Sequence, residues 1–255
     1  MSVENLSDHY FDLGRHPLRV AAGTCVGHRY RANFDVLHVD PELPFMAVAD
    51  GMGDGQGSTA AGRTTMATLV EAVRAAGAAA GMETLRDAVA LAQRRVCARG
   101  AELGELTGCT ATALLADGTG TGAWLAQIGD SRAYRLRDGL LELLTVDHTV
   151  AWLGVVHGWY AADSTEAAAA RYQLTRYVGH PHQPEPDLLH VSLRPGDVYC
   201  LCTDGIADQL DYQRLRELLG ERVEPVEIVR RMVAGSLAAG GRDNATAVVA
   251  RVHAR

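Results

Sequence analysis

Four aspartates share one setting in this chain. Asp50 ends the run Phe-Met-Ala-Val-Ala and precedes Gly51; Asp204 ends Val-Tyr-Cys-Leu-Cys-Thr and precedes Gly205. Asp130 follows Trp-Leu-Ala-Gln-Ile-Gly, and Asp243 stands in Gly240-Gly-Arg-Asp-Asn-Ala-Thr246, just before a last apolar run. Taken singly, each reads as a turn or helix-cap residue, because Asp-Gly is common in hairpins and aspartate favours helix N-termini. Four such acids, each joined to an apolar run and a small-residue break, are harder to explain by turns alone. Ionised carboxylates gathered at low dielectric are costly unless cations neutralise them. With oxygen donors and no nearby Cys or His cluster, the suitable ions are magnesium or manganese rather than zinc. Two such ions roughly 3.5–4 Å apart can activate a water for attack on phosphorus and offset charge on phosphate oxygens.

The elements that must position these acids follow from apolar periodicity. Strands are expected at Leu18–Gly27, Phe34–Val39 and Phe45–Ala49, then a helix over Ser58–Ala76 with Ser58 as N-cap, and a second over Glu83–Ala101. The runs Cys109–Ala116, Gly122–Ile128, Arg132–Arg137 and Leu140–Thr145, divided by Gly and Asp turns, predict an antiparallel meander. Residues Val146–Tyr172 lose the strand period and read as a helical excursion or lid. Strands at Leu188–Leu193 and Val198–Thr203, helices at Tyr212–Leu219 and Val226–Ala239 and a final strand at Ala245–Val252 complete the chain. Paired helices among many antiparallel strands predict an α+β fold, with sheets at the centre and helix pairs outside. A doubly wound parallel fold needs strict alternation of strand and helix, which the middle of the chain lacks.

Composition narrows the function further. At 255 residues with 47% hydrophobic and 22% charged residues, the chain has the mix of one globular domain, 1–255. A net charge of −7 without clustered Lys or Arg argues against nucleic-acid binding. Absence of a signal-like N-terminus or a long apolar stretch argues against secretion and membrane insertion, and five cysteines without a CxxC pair suit a reducing cytoplasm. Cys200 and Cys202 alternate on a strand and read as buried small hydrophobes. The oligomeric state leaves no mark in the sequence.

A series of blocks resembles the metal-dependent type-2C protein phosphatases, the PPM family, in that family's order. They are Arg29-Tyr-Arg-Ala-Asn-Phe-Asp35, Ala47-Val-Ala-Asp-Gly-Met-Gly53, Gly108-Cys-Thr-Ala-Thr112, Ile128-Gly-Asp-Ser-Arg132, Leu144-Thr-Val-Asp-His148, Leu193-Arg-Pro-Gly-Asp197, Cys202-Thr-Asp-Gly-Ile206 and Gly240-Gly-Arg-Asp-Asn-Ala-Thr246. The resemblance implies a four-layer α-β-β-α sandwich of two mainly antiparallel sheets flanked by helix pairs, hydrolysing phosphoserine or phosphothreonine in proteins. It implies that Asp50, the Gly51 carbonyl, Asp204 and Asp243 surround two Mn2+ or Mg2+ ions, and that Asp35 holds a metal-bound water. Asp130 with Asp204 would border a third, weaker site, and residues 148–172 would form a flap beside the cleft.

The chain departs from the family pattern at three positions. Tyr30 stands where an arginine is usual, between Arg29 and Arg31, the two candidates to bind phosphate. Phe34 replaces a glutamate, and Gly55 replaces the histidine proposed to protonate the leaving alkoxide, so activity on poor leaving groups is expected to be reduced. Asp54 reads as a cap for the following helix. His148 reads as a structural hydrogen-bonding residue, and His180, His182 and His190 as exposed loop histidines. Two rivals keep the fold: a pseudophosphatase that binds without turnover, and a phosphatase of small-metabolite phosphomonoesters. A nucleotide-cofactor site is disfavoured, because Gly51, Gly53, Gly55 and Gly57 do not give G-x-G-x-x-G and Asp50 and Asp54 would repel a pyrophosphate.

Overall fold

The computed structural model describes residues 3–255. Eleven strands form two sheets whose neighbours all pair antiparallel. The first sheet, in the order β1-β2-β11-β10-β7-β8, is built from Glu4–Phe11, Leu18–Cys25, Ala245–Val252, Val198–Cys202, Arg132–Arg137 and Leu140–Leu143. The second, β3-β4-β5-β6-β9, uses Val36–Val39, Phe45–Ala49, Ala111–Ala116, Gly122–Ile128 and Asp187–Ser192. Helices α1 (Gln56–Ala76) and α2 (Met82–Leu103) pack on the second sheet; α6 (Tyr212–Gly220) and α7 (Pro225–Ala238) pack on the first.

Side-chain alternation makes the four layers. On β4, Met46 and Val48 face the other sheet with Val20, Tyr199, Leu201 and Val248, whereas Phe45, Ala47 and Ala49 face α1 and α2 with Leu69, Val73 and Val89. On β10, Cys200 and Cys202 share the face that packs on α6 and α7 beside Leu215, Ile228 and Met232. A strand apolar on both faces reads as an unbroken apolar run, which is why β4 and β10 stand out in the sequence.

Several expectations need correction. The polar segment β1 was not expected; it is an edge strand paired on one side only, so it carries no continuous apolar run. The four runs from Cys109 to Thr145 are not one meander. β5 pairs with β6 in the second sheet and β7 with β8 in the first, so the chain changes sheets at Gly129 and Asp130, with Gly129 at φ 104°. Helix α1 begins at Gln56, and Ser58 does not cap it: its hydroxyl donates to the Met52 carbonyl at 2.5 Å. Asp54 is no cap either, since Gly55 holds that position; the Glu105 carboxylate, from the loop after α2, accepts the Gly57 N–H instead. The segment around Arg29 is a turn, not the strand that would set side-chain parity, and β3 starts only at Val36.

The excursion after β8 holds α3 (Val150–Val156), capped by Thr149, and α4 (Thr165–Ala170), capped by Ser164. A single helical turn, α5 (Asp204–Ala207), follows β10 directly. Among the described residues, no helix is long and apolar enough to cross a membrane.

Candidate active site

The acids lie at one edge of the sandwich because strand ends from both sheets meet there. Asp50 leaves β4 and Asp130 leaves β6; Asp204 leaves β10 and Asp243 leads into β11. All four line one cleft of about 230 Å³, together with Gly51, Met52, Gly53, Thr110, Tyr30, Phe34, Leu106, Tyr172, Leu174 and Asn244. No Lys, Arg or His lines it. Among the described residues, no group of three or more His, Cys, Asp or Glu side chains is drawn into a metal-ligand cluster.

Crowding governs the protonation of these acids. Burial first, then the charges of Asp35, Asp204, Asp130 and Asp243, pushes the Asp50 carboxyl well above its ordinary range. Asp204 is raised by burial, although the adjacent Asp50 carboxyl and the nearby charges of Arg171 and Arg132 oppose the rise. Burial and the charge of Asp204 bring Asp130 to about 7 and Asp243 to about 6. One buried oxygen of Asp204, Oδ1, has no hydrogen-bond partner.

Neighbouring groups fix the acids in place. The Asp50 N–H donates to Thr110 Oγ1 at 2.9 Å, and the Asn244 N–H donates to Asp243 Oδ1 at 2.7 Å. Asn244 also ties down the turn that carries the arginines: its Nδ2 donates to the carbonyls of Val26 and Ala32, and its Oδ1 accepts the Phe34 N–H. Gly51 is pinched, since a Cβ there would sit 2.6 Å from the Ser58 carbonyl oxygen and 2.9 Å from that of Phe34. Asp35 lies beside the cleft rather than in it. Its Oδ2 accepts from Thr203 and Thr246 at 2.8 and 2.6 Å, its Oδ1 is buried without a partner, and burial raises its carboxyl well above the usual range.

The two candidate phosphate-binding arginines fare differently. Both are exposed and neither lines the cleft, but Arg29 lies over the Tyr30 ring at 5.0 Å and its charge lowers the Asp243 pKa. Tyr30 and Phe34 pack edge to face at 5.9 Å and form one wall. At Gly55 the nearest group to a hypothetical Cβ is Glu105, 3.6 Å away.

Other residues at the site gave no signal of this role in the sequence. Arg171, just after α4, pairs with Asp208 and lowers the Asp204 pKa; Tyr172 and Leu174 reach the cleft wall. Arg132 forks onto Asp147 at 2.9 and 2.6 Å. These arginines, with Asp130, Asp204 and Asp208, enclose a side chamber of about 20 Å³, room for about one water. His148 is structural as expected: Nδ1 accepts the Gly129 N–H at 3.0 Å and Nε2 lies 3.0 Å from Asp187. His190 corrects the loop expectation, since it lies on β9 with its ring 4.2 Å from that of Trp124; His180 is half-buried.

The chain is similar in sequence and fold to known proteins. The serine/threonine protein phosphatase PstP of Mycobacterium tuberculosis is 32% identical over 237 residues, covering 92% of this chain and 45% of PstP. The chain thus spans about half the length of that curated relative. The crystal structure of Mycobacterium tuberculosis PstP superposes with a TM-score of 0.81 at 32% identity, covering 92% of this chain and 99% of that one. A structure of the PstP catalytic domain in complex with two manganese ions gives 0.81 at 32% identity, with 92% and 98% coverage. The family profile described as protein phosphatase 2C matches residues 32–238, which takes in Asp35, Asp50, Asp130 and Asp204. With its fold, its acid-bearing strand ends and its sequence all in agreement, the chain belongs to the protein phosphatase 2C family.

Proposed function

We propose that this chain is a metal-dependent phosphatase that hydrolyses phosphoserine and phosphothreonine in proteins. The observation that carries the reading is the cleft itself: four carboxylates from two sheets, raised above their ordinary pKa by burial and mutual charge, with no basic side chain lining the space. Cations would offset the charge of such a site.

The donor set fits hard divalent ions, two Mn2+ or Mg2+, as in the manganese-bound PstP catalytic domain. Asp50, Asp204, Asp243 and the Gly51 carbonyl would hold them, and the unpartnered Oδ1 of Asp204 is available to them. Since no three acids close into a ready-made cluster, each ion would complete its shell with water, as magnesium and manganese prefer. Bound there, the ions would lower the pKa of water and neutralise phosphate oxygens. A third ion between Asp130 and Asp204 would compete with Arg132 and Arg171, whose charges already reach these acids, so it should bind weakly.

The protein's own groups set the geometry. Thr110 holds the Asp50 backbone, Thr203 and Thr246 hold Asp35, and Met52, Leu106, Tyr172 and Leu174 limit water around the cleft. Arg29, whose charge reaches Asp243, and Arg171, whose charge reaches Asp204, lend positive charge. The segment 148–172 acts as a flap over this edge of a single domain spanning 1–255. The substrate is a phosphoprotein, and the five unpaired cysteines favour a cytoplasmic signalling role.

The pseudophosphatase reading draws on the three departures from the family pattern at Tyr30, Phe34 and Gly55. The deciding experiment is hydrolysis of p-nitrophenyl phosphate and of a phosphothreonine peptide with manganese. Turnover that is lost in Asp204→Ala supports the enzyme. Binding without turnover, with either manganese or magnesium, replaces it by the binding module, and turnover of sugar phosphates alone replaces the protein substrate.

A further inference from the structure

A groove of about 540 Å³ lies away from the acids, at the other end of the six-stranded sheet. Its walls are the β7–β8 turn at Asp138, the β9–β10 turn at Arg194–Asp197, the α6–α7 loop at Arg222 and the β11 residue Arg251. β10 connects the two ends, and the seven steps from Asp197 to Asp204 span roughly 23 Å.

Four arginines face this groove in a chain of net charge −7. The Arg137 guanidinium is fully engaged, donating to Asp197 at 2.8 and 2.6 Å and to the Ser192 carbonyl at 2.7 Å. That ion pair cancels the two charges. Glu221 turns its carboxylate to Arg231. Asp138, exposed at the rim, is the one remaining acid among the lining residues.

Against it stand Arg194, Arg222 and Arg251. Arg251 is half-buried and donates to the carbonyls of Val223 and Glu221 at 2.5 and 2.7 Å, neutral partners, while the acid whose charge reaches it, Glu224, is itself paired with Arg19 at 3.0 Å. Burial accordingly lowers its pKa, with the charge of Glu224 opposing. The side chains of Arg194 and Arg222 are exposed, with no hydrogen bond or ion pair among the described residues. The forks of Arg194 and Arg222 are free, and the tied Arg251 offsets Asp138, which leaves two charges to be met. A planar fork matches phosphate geometry, and a dianion meets both charges where a carboxylate meets one.

We propose that this groove is a second anion site, which binds a phosphate dianion either free in solution or carried on a phosphorylated side chain. It binds without chemistry, since no nucleophile or acid cluster lines it. The site is independent of turnover in the acidic cleft.

Calorimetry on the metal-free protein in EDTA isolates it, because without cations the acidic cleft repels anions. Inorganic phosphate and a short phosphoserine peptide are titrated separately, and at least one should show a single saturable site. The R194A/R222A double variant should weaken that binding tenfold or more, and Asp243→Asn should leave it within twofold. The tighter of the two ligands identifies the source of the phosphate. Absence of saturable binding for both, or binding indifferent to R194A/R222A, overturns the proposal. Manganese-dependent turnover of p-nitrophenyl phosphate by R194A/R222A should match the parent, so a chain with no turnover but intact groove binding would defeat the phosphatase reading alone.

Discussion

Asp50 and Asp204 come from different sheets, yet their carboxyl groups lie close enough for the charge of Asp204 to raise the Asp50 pKa. Neither acid reaches that position through local structure. β4 and β10 are long apolar runs buried on both faces, and their packing across the sandwich delivers the two side chains to the same space.

Protonation of the cleft should register in stability. Asp130 at about 7 and Asp243 at about 6 are raised above the ordinary carboxylate value, so the folded protein holds protons that the unfolded chain has released. Stability from these groups is therefore fully present below about pH 4 and lost as pH rises through about 7. In metal-free protein, Asp130→Asn should melt progressively higher than the parent as pH rises from about 4 to 7 and hold that gap above, because in that window unfolding the parent releases a proton that the variant lacks. The difference cancels the opposing titration of His38 and His148, both lowered by burial. A gap that stays constant with pH would contradict the crowding described here.

Gly51→Ala should damage both fold and site. The added methyl collides with the Ser58 and Phe34 carbonyls, backbone atoms that cannot rotate away. Overpacking of this kind costs about 1–3 kcal/mol, readable by urea denaturation, and activity should fall further than stability because the turn beside Asp50 must move. Wild-type stability in Gly51→Ala would show that the turn yields.

Arg29 and Arg31 should separate in steady-state kinetics. Arg29 lies within electrostatic reach of Asp243, so Arg29→Ala is expected to lower kcat/KM about tenfold, the equivalent of about 1.4 kcal/mol. Arg31 is exposed and outside the cleft, and Arg31→Ala should stay within about twofold of the parent. Equal losses in both would indicate that Arg31 turns inward when phosphate binds.

The buried pair Arg137–Asp197 tests stability at the opposite end. Asp197 is 1% exposed, and its removal strands a guanidinium that is 14% exposed. Asp197→Ala should cost about 3–5 kcal/mol, whereas replacing both partners by Met and Leu should cost less. Thermal melts of the three proteins distinguish a true buried pair from a surface contact.

Much of the layout was legible because strands buried on both faces cannot hide: β4, β10 and β11 announce themselves as apolar runs, and the acids at their ends follow. What escaped reading depends on distant partners. The start of α1 was misplaced because its amino end is satisfied by Glu105, 48 positions away, while Ser58 bonds Met52. Arg171 carries no local signature; its role comes from Asp208 and Asp204 across the fold. β1 pairs on one side and so lacks the pattern that marks an interior strand.

The crossing at Gly129–Asp130 has a mechanical outcome. Since the acids ride on two stacked platforms glued face to face by greasy side chains, the divalent ions proposed for this rim would behave as a clasp across the seam. Their departure should let the platforms slip, so chelation would speed amide exchange in β4 and β10 well before the molecule melts.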